Sequence, residues 1–400
     1  MIKYTGLDYL KIDIASQMGY DKESFEYRIQ WVNDNINDLE SFEENANDFY
    51  RYAAATKALR QYQAGIPTGH MVGLDACSSG PQILSVIVGC SVGAKNTGAI
   101  GQIRADLYGI LTKTMNDLLN GETSECTRKI IKSALMPFFY GSLAMPKEVF
   151  GVDTKELNVF NQSAEIVCPG AFMLLPIMLA MWDETALEYN WDLPDGWQVK
   201  YLVKEKVNTK IEIDTLTDHP TFVYRRTVNT TLESAAKIPA NLVQSIDGFI
   251  VRELTSRCDY VAGHLRSAKI ALKRVVEGTD LKVYSYHEKM WRKHKFLSLA
   301  GIEYDVLPAY SYKYAQAMIK FIDRVLAKPS FSVVSIFDEF KCHPNYMNYI
   351  RQEYINILAE LADSNILNII LSDITGKKIH IKKMSKNLSK LIRKAEYPLS

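Results

Sequence analysis

Apolar residues recur at helical spacing through residues 8–64, around an acidic, Asn-rich stretch at 34–48 that reads as a solvated helical face. Met71-Val72-Gly73-Leu74 is a short apolar run ahead of Asp75, so Asp75 is expected at a strand end. Residues 102–120 and 125–140 carry two amphipathic patterns separated by an Asn120-Gly121 turn, and 166–182 reads as one buried helix. The pattern then changes to strand alternation over 196–228. There 198–203 and 221–224 flank a polar, Pro-containing tip and predict a projecting hairpin. Residues 258–277 and 311–327 are helical in pattern, 332–337 is a strand ending at Asp338, and 344–361 is helical again. This mixed order argues for an α+β fold rather than a regular βαβ alternation.

Composition changes this picture little. With 400 residues, 47% hydrophobic and 23% charged, the chain can bury a large core and is not wholesale disordered. Lys and Arg number 47 and Asp and Glu 46, and a net charge of +1 leaves no footprint for nucleic acid, membrane or acidic substrates. Taken alone, that balance argues against a nucleic-acid enzyme. The six cysteines form no C-x-x-C pair and read as reduced thiols. Met1-Ile2-Lys3-Tyr4 opens no apolar leader, and the uncharged runs 76–94 and 167–182 are interrupted by Gly, Pro or Ser. The expectation is a cytoplasmic protein with no membrane partner.

Three constellations carry candidate chemistry. Asp75 followed by Ala76-Cys77-Ser78-Ser79-Gly80 is a strand-end acid with room beside it for a metal and a bulky substrate. Arg128, Lys132, Met136 and Tyr140 recur every fourth residue, so one helix face carries two cations, an apolar residue and an aromatic hydroxyl, and then Gly141. Two cations a turn apart repel, and a triphosphate would resolve that. Ile336-Phe337-Asp338-Glu339 is an apolar strand ending in adjacent acids, again suited to a metal. Each alone reads more readily as an ordinary surface feature.

Their order resembles motifs A, B and C of the single-subunit RNA polymerases of bacteriophages and mitochondria. Thr127-Arg128 through Lys132, Met136 and Tyr140-Gly141-Ser142 is similar to motif B without a gap, and Asp75 with Ser79-Gly80 and Gln82 is similar to motif A. Asp106-Leu107-Tyr108-Gly109-Ile110, Trp191 with Pro194-Asp195-Gly196, Asn241 through Ser245-Ile246-Asp247-Gly248, and Leu10-Lys11-Ile12 with Asp21-Lys22 and Arg28-Ile29 resemble further family segments.

The resemblance implies a right-hand architecture with an antiparallel palm sheet and mainly helical fingers. It divides the chain into a helical palm-associated module at 1–65, palm with motif A at 66–95, and fingers at 96–252 with the 196–228 hairpin in the promoter-reading position. An insertion follows at 253–328, then palm with motif C and a tail at 329–400. It implies a DNA-directed RNA polymerase using two Mg²⁺ ions held by Asp75, Asp338 and the Ala76 carbonyl. Asp75, Asp338, Lys132 and Tyr140 would be catalytic, and Arg128, Lys11, Tyr108 and Gly141 would bind substrate. The implied partners are a DNA template, NTPs and the RNA product, in the cytoplasm of an infected bacterium.

Some positions depart from the family pattern. Phe337 and Gln244 stand where His is usual, Glu339 where Ser is usual, and Ser133 where a basic residue often follows. Tyr310-Ser311-Tyr312 is a competing match for the segment around Ser245. None of the 21 glycines precedes an Arg, so the family's upstream Gly-Arg motif is missing. In this the chain resembles the two-chain members from N-four-like phages, in which a separate small subunit supplies the upstream part. Single-stranded-DNA-binding accessory proteins are then expected partners. Asp338-Glu339 also suits a related single-chain DNA polymerase, but the small residues after Asp75 leave open the space that those enzymes block. A non-catalytic nucleic-acid-binding subunit is the third reading. Two basic stretches, nine Lys/Arg with three aromatics at 266–295 and eight Lys/Arg at 377–394, suit nucleic acid, a partner protein or plain solvent. Gly93–Gly98 lacks the ending of a phosphate loop, and His287 and His294 lack zinc spacing.

Overall fold

The computed structural model describes residues 1–121, 125–233, 237–278, 285–302 and 309–400. Helices begin where the sequence supplies a cap. Thr5, Ser24, Asp48, Thr127 and Thr154 each accept the backbone N–H three residues on, which satisfies a donor the first turn leaves open.

The strands are β1 (Val72–Asp75), β2 (Glu188–Asp192), β3 (Gln198–Leu202), β4 (Lys204–Glu212), β5 (Thr221–Asn229), β6 (Val334–Ile336) and β7 (Glu339–Cys342). β1, β7 and β6 form an antiparallel sheet in that order. Asp75 pairs with Glu339 and Glu339 with Ile336; two pairs along, Gly73 lies opposite Lys341 and Lys341 opposite Val334. Because side chains alternate, Val72, Leu74, Phe340 and Cys342 enter the core. Asp75, Glu339 and Ile336 are left in one row on the open face.

Helix Ser79–Val88, buried along its whole length, packs behind this sheet between helices Ile238–Cys258 and Met347–Asp363. Gln82 joins the layers: its amide donates to the Thr97 and Pro398 carbonyls, at 2.8 and 3.2 Å, and accepts from the Tyr354 hydroxyl at 2.7 Å. A separate core of Leu265, Leu272, Tyr310, Tyr314, Met318 and Ile322 lies within 262–326. Among the described residues no single helix is long and apolar enough to cross a membrane.

Four expectations are corrected. The 166–182 segment is not one helix: Lys155–Val167 ends there, Cys168 leaves helical geometry, and Pro169 starts a new helix to Leu179. Pro169 has no N–H to continue the first ladder, and Ile166 sits exposed on the earlier helix. The hairpin is β4–β5, not β3–β5. β3 pairs with β2, and buried Val203 separates the two sheets. Both faces of β4 and β5 are largely exposed, so the hairpin does project. The 34–48 stretch is a turn and a 3₁₀ segment anchored by fully buried Leu39, whose carbonyl accepts from the Tyr52 hydroxyl at 2.9 Å. The 258–277 pattern divides at 259–261, because Cys258 closes the long helix from Ile238.

Candidate active site

Asp75 ends β1, and Asp338 lies in the two-residue turn joining β6 to β7. The Ala76 N–H donates to the Asp338 carbonyl at 3.2 Å, so the two acids are carried on directly hydrogen-bonded backbone. On the other edge of β1, Asp75 pairs with Ser400: the Ser400 N–H donates to the Asp75 carbonyl at 2.9 Å. Two non-glycine residues beside the acids, Ser78 (φ 56°) and Phe337 (φ 56°), are held left-handed. Such strain persists where surrounding structure over-determines the backbone, and it clusters at functional sites. Phe337, 85% exposed, points its ring into solvent at the turn.

These acids floor a cavity of about 560 Å³, which Glu339 also lines. Facing them is helix Arg128–Phe139, which contributes Arg128, Lys132 and Met136 to the same cavity. Arg128 already has an anion. Its Nε and Nη2 donate to the two Asp106 oxygens at 2.7 and 2.9 Å, and its guanidinium lies over the Tyr108 ring at 5.2 Å. Burial raises Asp106, but the hydrogen bonds and charge of Arg128 more than offset it and hold the carboxyl below its ordinary value. Gly109 makes this possible, since a Cβ there would meet Asp106 Oδ2 at 2.8 Å. The Arg128–Lys132 repulsion expected from the spacing is thus already relieved in part, because Asp106 neutralises one of the pair. Lys132 Nζ sits 5.9 Å from the Tyr108 ring centroid and has no carboxylate partner among the described residues.

The remaining expected residues divide. Tyr108 and Ala76 line the cavity. Tyr140 does not; it packs behind Met136 against helix Ser79–Val88, where a Cβ on Gly80 would meet its hydroxyl at 3.0 Å. Burial first, then the charge of Asp247, push that hydroxyl up to about 12. Gly141 (φ 100°) is a buried left-handed stop after the helix, away from the cavity lining. Lys11 is also off the cavity: helix Gly6–Ala15 turns it toward Asn33, whose Oδ1 accepts from its ammonium at 2.6 Å. Lys22, Arg51 and Arg104 supply cations there instead. Arg104 is held by the Lys22 carbonyl at 3.3 Å, and its Nε is buried without a partner. Arg28, though at the cavity edge, is buried and spends its donors on the 16–23 turn.

One acid escaped the assignment from sequence. Asp247, on helix Ile238–Cys258, lies close enough to feel Asp338 and Asp75; burial and those two charges push it up to about 7. Burial, then Asp338 and Glu339, likewise push Asp75 up to about 6, against the pull of Lys22. Asp247 stood within the Asn241–Gly248 resemblance, but no spacing rule linked it to Asp75. A raised carboxyl pKa means the unfolded chain ionises first as pH rises, so these groups cost stability from about pH 4, and the full cost is reached above about pH 7. Asp247→Asn is therefore expected to stabilise the metal-free protein by about 1–2 kcal/mol at pH 8 and not at pH 4. Thermal melts of variant and wild type across that range check it; an equal difference at both ends would contradict it.

A separate group, Glu212, Asp214 and His219, brings potential ligand atoms within 4.8 Å of one another on the exposed tip of β4–β5. In the 266–295 stretch, Lys282 and Tyr284 lie outside the described residues.

The family model of DNA-dependent RNA polymerases matches residues 2–150. That span carries Asp75, Asp106, Arg128, Lys132 and Tyr140, while Asp247 and Asp338 lie beyond it. No curated protein matches the chain. Residues 2–150, in which Asp75 faces the Arg128–Lys132 helix across one cavity, are thus similar to the DNA-dependent RNA polymerases.

Proposed function

We propose that the chain is the catalytic subunit of a DNA-directed RNA polymerase with a palm-and-fingers arrangement, joining NTPs to an RNA 3′-hydroxyl on a DNA template. The observation that carries this reading is that Asp75, Asp338 and Glu339 line the same cavity as Arg128 and Lys132. An anionic floor opposite a cationic wall suits a substrate whose triphosphate needs cations and whose α-phosphate needs metal.

The donor set fits Mg²⁺: hard carboxylate oxygens, few in number, in a cavity with space for retained water. Asp75, Asp338 and the Ala76 carbonyl would hold two ions, with Glu339 beside them. When bound, the ions supply charge stabilisation for the attacking and leaving oxygens. The chain's own groups do the rest. Arg128, locked by Asp106 through two of its nitrogens, keeps Nη1 for the β- and γ-phosphates. Lys132 binds the triphosphate and gives a proton to the pyrophosphate as its bond to the α-phosphorus breaks, while the 3′-hydroxyl releases its proton to solvent water and its oxygen bonds to that phosphorus. Ala76 to Gly80 leave room beside the ribose. Tyr140, reached through Met136, reads the 2′-hydroxyl once substrate displaces it from Gly80.

Tyr140→Phe is expected to cut discrimination between ribo- and deoxynucleotides by roughly tenfold, the value of one hydrogen bond. Incorporation ratios at matched template positions check it, and unchanged ratios would remove Tyr140 from that role. A DNA polymerase of the same architecture is the second reading, favoured by Glu339 next to Asp338; the small loop after Asp75 supports the ribonucleotide choice. A smaller subunit supplying the upstream part and single-stranded-DNA-binding proteins complete the proposed assembly.

A further inference from the structure

A second cleft lies away from the proposed site, between helix Tyr286–His294, helix Tyr312–Leu326 and the far end of helix Met347–Asp363. It encloses about 380 Å³. Its walls are apolar, from Trp291, Phe296, Leu297 and Phe321, and its rim carries Lys295, Lys320 and Arg324. Arg324 is spoken for: it pairs with Glu360 at 2.8 Å and lies over the Phe321 ring at 4.8 Å. Glu360 is also bound by buried Arg257 at 2.6 Å, so its charge is neutralised. Lys295 and Lys320 differ. Both are exposed and neither ammonium has a hydrogen-bond or ion-pair partner among the described residues. Asp363 is the one lining carboxylate without a partner there, so the rim keeps a net positive charge.

We propose that this cleft holds one nucleotide unit of single-stranded nucleic acid, with its base against the half-buried ring of Trp291 and the flanking phosphates on Lys295 and Lys320. Size favours this over a protein partner. The volume stands at the low end of the ~300–1,000 Å³ of ligand pockets, enough for one planar ring system and short of an amphipathic helix. An accessible aromatic ring with lysines at the rim is the combination that binds a base by stacking and the backbone by charge. Helix Met347–Asp363 leads here from β7; its 17 residues span ~25 Å, so a strand seated in the cleft could continue to the Asp75–Asp338 cavity. The proposal rests on the polymerase reading for its ligand class alone.

The test is binding of labelled oligo-dT and oligo-rU by the whole protein without NTPs or metal, over a series of salt concentrations, for wild type and Lys295→Glu/Lys320→Glu. Both lysines are exposed, so the variant is expected to fold, and its thermal melt checks this. Loss of two phosphate contacts is expected to weaken binding on the order of 10- to 30-fold at 0.1 M salt and to lower the salt slope by about 1.4. Photocrosslinking with 5-iodouracil oligonucleotides is expected to map to the peptide containing Trp291. A loss in the dT arm alone assigns the cleft to DNA, in the rU arm alone to RNA, and in both to either strand. Unchanged affinity and slope in both arms, or a crosslink mapped elsewhere, overturns the proposal; so does a variant that loses a partner protein while keeping both oligonucleotides. The polymerase reading stands apart: Asp75→Asn should abolish extension while leaving this binding intact.

Discussion

Asp75→Asn and Asp338→Asn are each expected to lower RNA primer extension by ~10³-fold or more, because each removes an oxygen ligand from ions that stabilise both the attacking and leaving oxygens. Asp75→Asn is also expected to raise the thermal stability of the metal-free protein. Asp75 is pushed up by burial and by Asp338 and Glu339, so at neutral pH its charge is a cost that only a cation offsets. Asn keeps the shape and removes that cost. Activity lost together with a higher melting temperature separates a functional acid from a structural one, whose loss would lower both. Unchanged extension in Asp338→Asn would remove it from the site.

Lys132→Ala is expected to lower kcat/KM by ~10²–10³-fold, the range seen when one preorganised group facing developing charge is deleted. Among the described residues its ammonium makes no ion pair and only skirts the Tyr108 ring, so the fold loses little without it. Lys132→Arg should recover nucleotide binding more than turnover, since a guanidinium does not release its proton at working pH. Single-turnover rates across pH distinguish the two roles. Nucleotide affinity near wild type with a single-turnover rate still depressed is the pattern expected of the Arg variant. An Ala variant as fast as wild type would contradict both roles.

The parts of this site that a linear pattern can carry were legible. Asp75 at the end of an apolar run, and Arg128, Lys132 and Met136 at fourfold spacing, sit where local periodicity puts them. What was not legible depends on pairing across the chain. The register that sets Asp75 opposite Glu339 joins residues 264 positions apart, and nothing in either strand states it. Asp247 reaches the site by helix packing, so its spacing from Asp75 carries no signal. Lys22 and Arg104 arrive on irregular turns, whereas Lys11, on a regular helix, faces Asn33. β3 alternates as a hairpin strand should, but alternation does not name a partner, and β2 took it. Net charge misled because it averages a polarised cavity, with acids on the sheet and cations on the facing helices and turns.

The most direct test is extension of a labelled RNA primer on a single-stranded DNA template with Mg²⁺. It compares wild type and Asp338→Asn, each purified with whatever subunit accompanies it, given the four NTPs or the four dNTPs. The account predicts template-directed extension by wild type with NTPs, little with dNTPs, and none by the variant. Extension that survives in Asp338→Asn, or that prefers dNTPs, would contradict it.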